Sequence, residues 1–182
     1  MVAVTDAAKI ELHVHLEATI RPATLLLIAR RNGIPLPADT VEGIEALYRF
    51  RDFKHFIDVW VMTTNCLRTA DDFRQVVVDY AEQAAGFGAV YLEGIFSPPE
   101  RVLLGGLDWD VIYSGYTDGA AEAAERFGVT VRFTGVLPAA AAAAVAELTG
   151  EPVVGDRDVV HVVGAVLHQY RLPLSIHALT AG

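Results

Sequence analysis

Cysteine is all but absent: Cys66 stands alone in 182 residues. A single thiol makes no internal disulfide and cannot supply the paired cysteines of a zinc ribbon. Lysine is scarce too, confined to Lys9 and Lys54, and Asp plus Glu outnumber Lys plus Arg by 23 to 14. With a net charge of -9 and no basic stripe, the chain has little with which to neutralise a phosphate backbone. Neither nucleic acid nor an anionic membrane is therefore expected as a partner. Long apolar runs are also missing. The longest nearly uncharged stretch, Thr134 to Ala146, is Ala-rich and falls short of the ~20 residues that span a bilayer. Met1 to Lys9 lacks the basic patch and apolar core of a secretory leader. These absences predict a cytoplasmic protein.

What is present is a globular composition, 53% hydrophobic and 20% charged, with enough chain for one domain. No internal repeat or linker divides it, so residues 1–182 are read as a single domain. Strand and helix patterns alternate. KIELHVHL (Lys9 to Leu16) alternates, which places Glu11, His13 and His15 on one face and Ile10, Leu12, Val14 and Leu16 on the other. Pro22 opens a helix that Asn32-Gly33 closes. Asp39, three residues before Glu42, predicts the start of a short helix around Val41 to Tyr48. Helical spacing continues from Phe53 to Val61, and again after Thr69 and Asp72 until Gly86 and Gly88.

AVYLEGIF (Ala89 to Phe96) reads as a buried strand, closed by Ser97-Pro98-Pro99. Asp108 opens a helix that Gly128 ends, and Val129 to Thr134 is a third strand. Strands separated by long helices imply a parallel sheet. After Leu137 the patterning weakens. Pro138 to Leu148 is a helix candidate, Asp158 to Leu167 fits strand or helix, and Leu174 to His177 resembles a short strand.

His13 and His15 carry the most information. At i and i+2 on a strand their imidazoles share a side, where one metal ion can take both. A chance pair on a half-exposed strand is the plain alternative. Phe50, Phe53, Phe56 and Trp60 form an aromatic stripe, with Trp60 expected in the core and Phe53 and Phe56 in either the core or an apolar rim. Gly86-Phe87-Gly88 follows a helix and precedes a strand, the reverse of a nucleotide-binding loop.

The run KIELHVHLE (Lys9 to Glu17), followed by Ile20-Arg21-Pro22, resembles the first strand and loop of the adenosine deaminase family. NGIPLPADTVE (Asn32 to Glu42) is similar to that family's first connecting segment, and AVYLEGIFSP (Ala89 to Pro98) to its second barrel strand. The resemblance runs from about Lys9 to Leu137, and residues 138–182 match poorly. It implies an α/β fold, a parallel (β/α) barrel of TIM type, here incomplete and limited to the N-terminal half. It implies a zinc-dependent hydrolase that deaminates adenosine or a related aminopurine, water activated by the metal attacking C6. His13 and His15 would hold Zn2+, with His15 and Glu17 facing a small-molecule purine substrate. Glu17 stands where the family often has an acidic residue meeting the sugar; a solvated loop carboxylate is the other reading. The cytidine-deaminase solution needs P-C-x-x-C and is excluded by the single cysteine.

The chain also departs from the family. Ala18 replaces a common glycine, and Ile95 stands where an arginine often follows the strand-two glutamate, Glu93, itself read as a hydrogen-bonded carboxylate inside the barrel. The family's H-A-G-E motif becomes His177-Ala178-Leu179-Thr180, so His177 is a candidate third ligand without a catalytic glutamate after it. No catalytic acid is identified, and His161 and His168 match no motif. Two other readings follow: an inactive remnant of such an enzyme, or a metal-dependent amidohydrolase with another substrate. With only four or five strands, the chain is expected to be truncated, frame-shifted after about Thr134, or completed by pairing.

Overall fold

The computed structural model describes residues 7–97, 101–102, 105–137 and 160–162. The order is β1 (Lys9–His15), a 3-10 turn (Leu16–Ala18), α1 (Pro22–Arg31), α2 (Val41–Leu47), α3 (Phe53–Thr64), α4 (Ala70–Gly86), β2 (Ala89–Phe96), α5 (Trp109–Phe127), β3 (Thr130–Leu137) and β4 (Val160–Val162). The strands form one sheet in the order β1-β2-β3-β4. β1, β2 and β3 are parallel neighbours, as crossovers through long helices require. β4 departs from the expected pattern and pairs antiparallel with β3, His161 opposite Val136. Among the described residues the four strands do not close into a barrel. The helix candidate at residues 138–148 and the strand candidate at 174–177 lie outside the described residues.

Local chemistry sets most boundaries. Thr69 and Asp72 form a reciprocal capping box at the head of α4. Asp108 caps α5, and Gly128, at φ +68°, closes it in the left-handed region where a side chain is strained. The α2 cap is Thr40, whose hydroxyl accepts from the Gly43 N–H, and not Asp39: the Oγ sits three residues before that donor, as capping geometry demands. β3 starts one residue later than expected and extends to Leu137.

α4 and α5 cover one face of the sheet. Phe73, Val76, Val77 and Ala81 from α4 join Ile112, Tyr116 and Ala123 from α5 over Leu92, Phe96, Val131 and Phe133. Tyr116 sits at the centre, its ring 5.3 Å from Phe73, 5.1 Å from Phe96 and 5.7 Å from Phe133. α3 buries Val59, Thr63 and Thr64 instead of its aromatic stripe. Phe53 is 76% exposed, Phe50 is also exposed, and Trp60 is only half-buried, so the expected core position of Trp60 is not observed. No helix among the described residues is long and apolar enough to cross a membrane.

Candidate metal centre

The strand that carries the histidines is not regular. Glu11 pairs with Leu92 and Val14 with Gly94, three residues on β1 against two on β2, which marks a bulge at Leu12–His13. The bulge changes the faces expected from simple alternation. Glu11 turns toward the helices, where its Oε2 accepts from the Tyr80 hydroxyl at 2.6 Å. His15, paired with Ile95, lies on the opposite, inner face, and His13 joins it there. The corrected face therefore holds Ile10, Leu12, His13 and His15, with Glu11 removed from it.

The two imidazoles are exposed at the carboxyl end of β1, their ring centroids 5.4 Å apart and their planes at 59°. Two imidazoles on a tetrahedral ion, with metal–nitrogen bonds of about 2.0–2.1 Å, hold their centroids roughly 5 Å apart. The pair therefore fits a shared ion. Among the described residues no group of three or more His, Cys, Asp or Glu gathers to complete a site. His177 and His168 lie outside the described residues, and His161 is placed only as part of β4. Cys66 is no ligand candidate: it is fully buried, and burial pushes its thiol up to about 11, which leaves it protonated at neutral pH.

Beyond His15 the chain turns sharply, and Glu17 leaves the histidine face. It is 3% exposed, which excludes the solvated-carboxylate reading. Its Oε1 accepts the Ser97 N–H at 2.8 Å, tying the end of β1 to the end of β2. The Tyr116 hydroxyl lies beside it. Burial raises that hydroxyl's pKa well above the ordinary value; the Glu17 carboxylate raises it further, while Arg101 opposes the shift. Arg101 is 5% exposed and donates to Asn65 Oδ1 at 2.6 Å. Leu16, equally buried, presses on Gly94, where an added Cβ would lie 2.9 Å from its side chain.

Inner-face carboxylate Glu93 is buried and accepts from the Tyr91 hydroxyl at 2.9 Å, in line with the sequence reading. Arg132 stands beside it across the β2–β3 ladder. Ile95 is buried on the same face. Sequence reasoning missed Tyr116, Arg101, Asn65 and Ser97. Tyr116 shares a helical stripe with Ile112 and Ala123 and has no local feature that separates it from core; only the fold brings its hydroxyl to Glu17.

Comparison with known proteins bears on this geometry. The chain is 56% identical over 133 residues to an aminodeoxyfutalosine deaminase from Acidothermus cellulolyticus, covering 73% of this chain and 37% of the relative. It is 35% identical over 124 residues to an adenine deaminase from Chlorobium luteolum, covering 68% and 36%. Among solved structures, adenine deaminase from Arthrobacter aurescens superposes with a TM-score of 0.64 at 30% identity, over 69% of this chain and 38% of that one. An amidohydrolase from Burkholderia ambifaria with bound zinc gives 0.58 at 25% identity, over 70% and 35%. The chain thus spans under two fifths of the length of these relatives. The model of the adenosine deaminase family matches residues 8–162, past Leu137, to which the resemblance read from the sequence extends. With most of its length inside that match, the chain belongs to the adenosine deaminase family.

Proposed function

We propose that this chain forms the first part of a zinc-dependent hydrolytic deaminase acting on an aminopurine compound, with His13 and His15 as two of the metal's ligands. The observation that carries the reading is the convergence of the two imidazoles, 5.4 Å apart at the carboxyl end of β1, where barrel enzymes keep their chemistry. When bound, the metal supplies a Lewis acid that activates water for attack on the amino-bearing carbon. The chain's own residues hold and aim it. Neutral imidazole is the ligating form, and the bulge brings both rings to one side. His177 is the proposed third ligand. A catalytic acid is not supplied by Ala178, Leu179 or Thr180, which follow it. His15 also borders the substrate in this reading.

For substrate, the 56% identity to the aminodeoxyfutalosine deaminase against 35% to an adenine deaminase favours aminodeoxyfutalosine, or an aminopurine compound of that kind, over free adenine. The partner is then a small molecule, and the compartment the cytoplasm.

Zinc titration by calorimetry tests the metal assignment. His13→Ala and His15→Ala should each lower affinity by more than the roughly 10–100-fold that follows loss of a mere supporting group. His55→Ala should leave it unchanged, since that ring, on α3, already accepts the Arg51 N–H at its Nδ1. Equal zinc binding by all three variants would refute the assignment.

A further inference from the structure

The metal reading leaves a mechanical problem in β1. Between Glu11 and Val14 the bulge leaves Leu12 and His13 without ladder partners, so regular pairing does not fix the segment that carries the histidines. What lies on either side must hold it. Below the bulge, Glu11 is bound by the Tyr80 hydroxyl from α4. Above it, Glu17 accepts the Ser97 amide and lies against the Tyr116 hydroxyl from α5. Two carboxylates, each beside a tyrosine from a helix behind the sheet, thus bracket His13 and His15.

We propose that Glu11 and Glu17 are positioning residues, held by Tyr80 and by Tyr116 with the Ser97 amide, that fix the bulged segment and aim the histidine pair, and that Glu17 makes no contact with substrate. This rests on the reading of His13 and His15 as metal ligands. The geometry of Glu17 is that of a brace. His15, two residues away, is exposed on the inner face, whereas Glu17 is 3% exposed. One of its oxygens is 2.8 Å from the Ser97 nitrogen, and the other is buried as well. A carboxylate that recognised a sugar hydroxyl would need an oxygen open to the cavity. The Arg101 guanidinium, itself buried on Asn65, places a positive charge near the Tyr116 hydroxyl that stands beside this carboxylate.

Cobalt(II) titration of the full 182-residue chain, read by its visible absorption, separates the roles. Glu17→Ala should weaken Co2+ binding by about 10–100-fold and alter the spectrum. Glu17→Gln, whose amide oxygen still accepts from Ser97, should recover to within about threefold of the unsubstituted chain. Tyr116→Phe and Tyr80→Phe keep their rings and should each fall between these limits. A metal-free measurement runs beside this: exchange of the Ser97 amide hydrogen should accelerate in Glu17→Ala and in Tyr116→Phe. Unchanged Co2+ affinity and spectrum in Glu17→Ala, with weakened adenosine binding, would overturn the proposal and make Glu17 a substrate contact. Unchanged Ser97 exchange in Tyr116→Phe would overturn it as well. If the unsubstituted chain takes up no Co2+, the metal reading fails, and the exchange measurement still decides whether the brace exists.

Discussion

Gly94→Ala is the smallest change that reaches the histidines without touching them. Gly94 faces the helices opposite Val14, and the Leu16 side chain lies where a Cβ would stand. An added methyl carbon would meet Leu16 Cδ1 and Cγ at 2.9 Å and Cδ2 at 3.0 Å, against an ordinary contact of about 3.5–4.0 Å. All three atoms belong to one branched end that is 1% exposed, so it cannot swing out into solvent. Leu16 must move by more than half an ångström, and His15 is its neighbour in the chain. Overpacking of this kind costs about 1–3 kcal/mol, and the gain from replacing glycine within a strand returns less than ~1 kcal/mol. A net loss of about 1–2 kcal/mol follows from these two terms. Urea unfolding should show a lower midpoint at unchanged slope, and zinc affinity should fall in the folded variant. The partner test is the double variant with Leu16→Ala. Leu16→Ala alone costs ~2–5 kcal/mol through its cavity, and the new methyl at 94 fills part of that space. The pair should therefore be less damaging than the sum by at least about 0.5 kcal/mol. Strict additivity, or a Gly94→Ala midpoint equal to that of the unsubstituted chain, would refute the packing argument.

Asp72 is fully buried and accepts from Asn32 Nδ2, the Arg68 and Thr69 amides and Arg31; burial alone would raise its pKa, but these donors together lower it. The resulting stability is present above the ordinary carboxylate value of about 4 and is lost as pH falls through the lower folded value, so acid unfolding of Asp72→Ala should show less of this slope, and the variant should lose ~1–3 kcal/mol at pH 7 as the Asn32, Arg68 and Thr69 donors lose their acceptor. Gly115→Ala would drive a Cβ into the Ala70 carbonyl oxygen where α5 crosses α4, so the helices must part; despite a helix-propensity gain of about 1 kcal/mol, chemical denaturation should show net destabilisation. The zinc-loaded chain should release ammonia from adenosine at least about 100-fold more slowly than a full-length relative, because it lacks a general acid after His177. Turnover within tenfold of the relative, abolished by His15→Ala, would show that another residue fills that role.

The legible parts of this chain were those fixed by local rules. Thr69 with Asp72, Asp108, and Gly128 announce helix ends because capping is decided within four residues. The parallel pairing of β1 and β2 followed from the length of chain between them. What failed was whatever depended on a partner far along the sequence. Alternation put Glu11 beside the histidines, and the register against β2 moved it to the other face. The aromatic stripe of α3 carried a core pattern, yet Val59 and Thr63 are buried in its place, since burial depends on what lies opposite. The sequence left Glu17 either facing the substrate or solvated in a loop, and it could not show the burial, which comes from Ser97 and Tyr116, 80 and 99 positions further along.

The same distinction separates what this chain holds firmly from what it leaves open. The helix-facing side of β1 and β2 is secured by Leu16 on Gly94, by the Glu17–Ser97 tie and by the Tyr116 aromatic cluster. The inner side is different: Ile10 is 63% exposed and Leu12 53%, on the face they share with His13 and His15. Two imidazoles in such surroundings can bind an ion, because chelation needs only their convergence. Catalysis asks for more, since charge developing on a substrate is stabilised by fixed dipoles only where water is kept out. The chain's positioning elements and its proposed metal-binding pair are therefore separable from catalytic power. A folded preparation that binds zinc tightly and turns over slowly is what this arrangement of residues should yield.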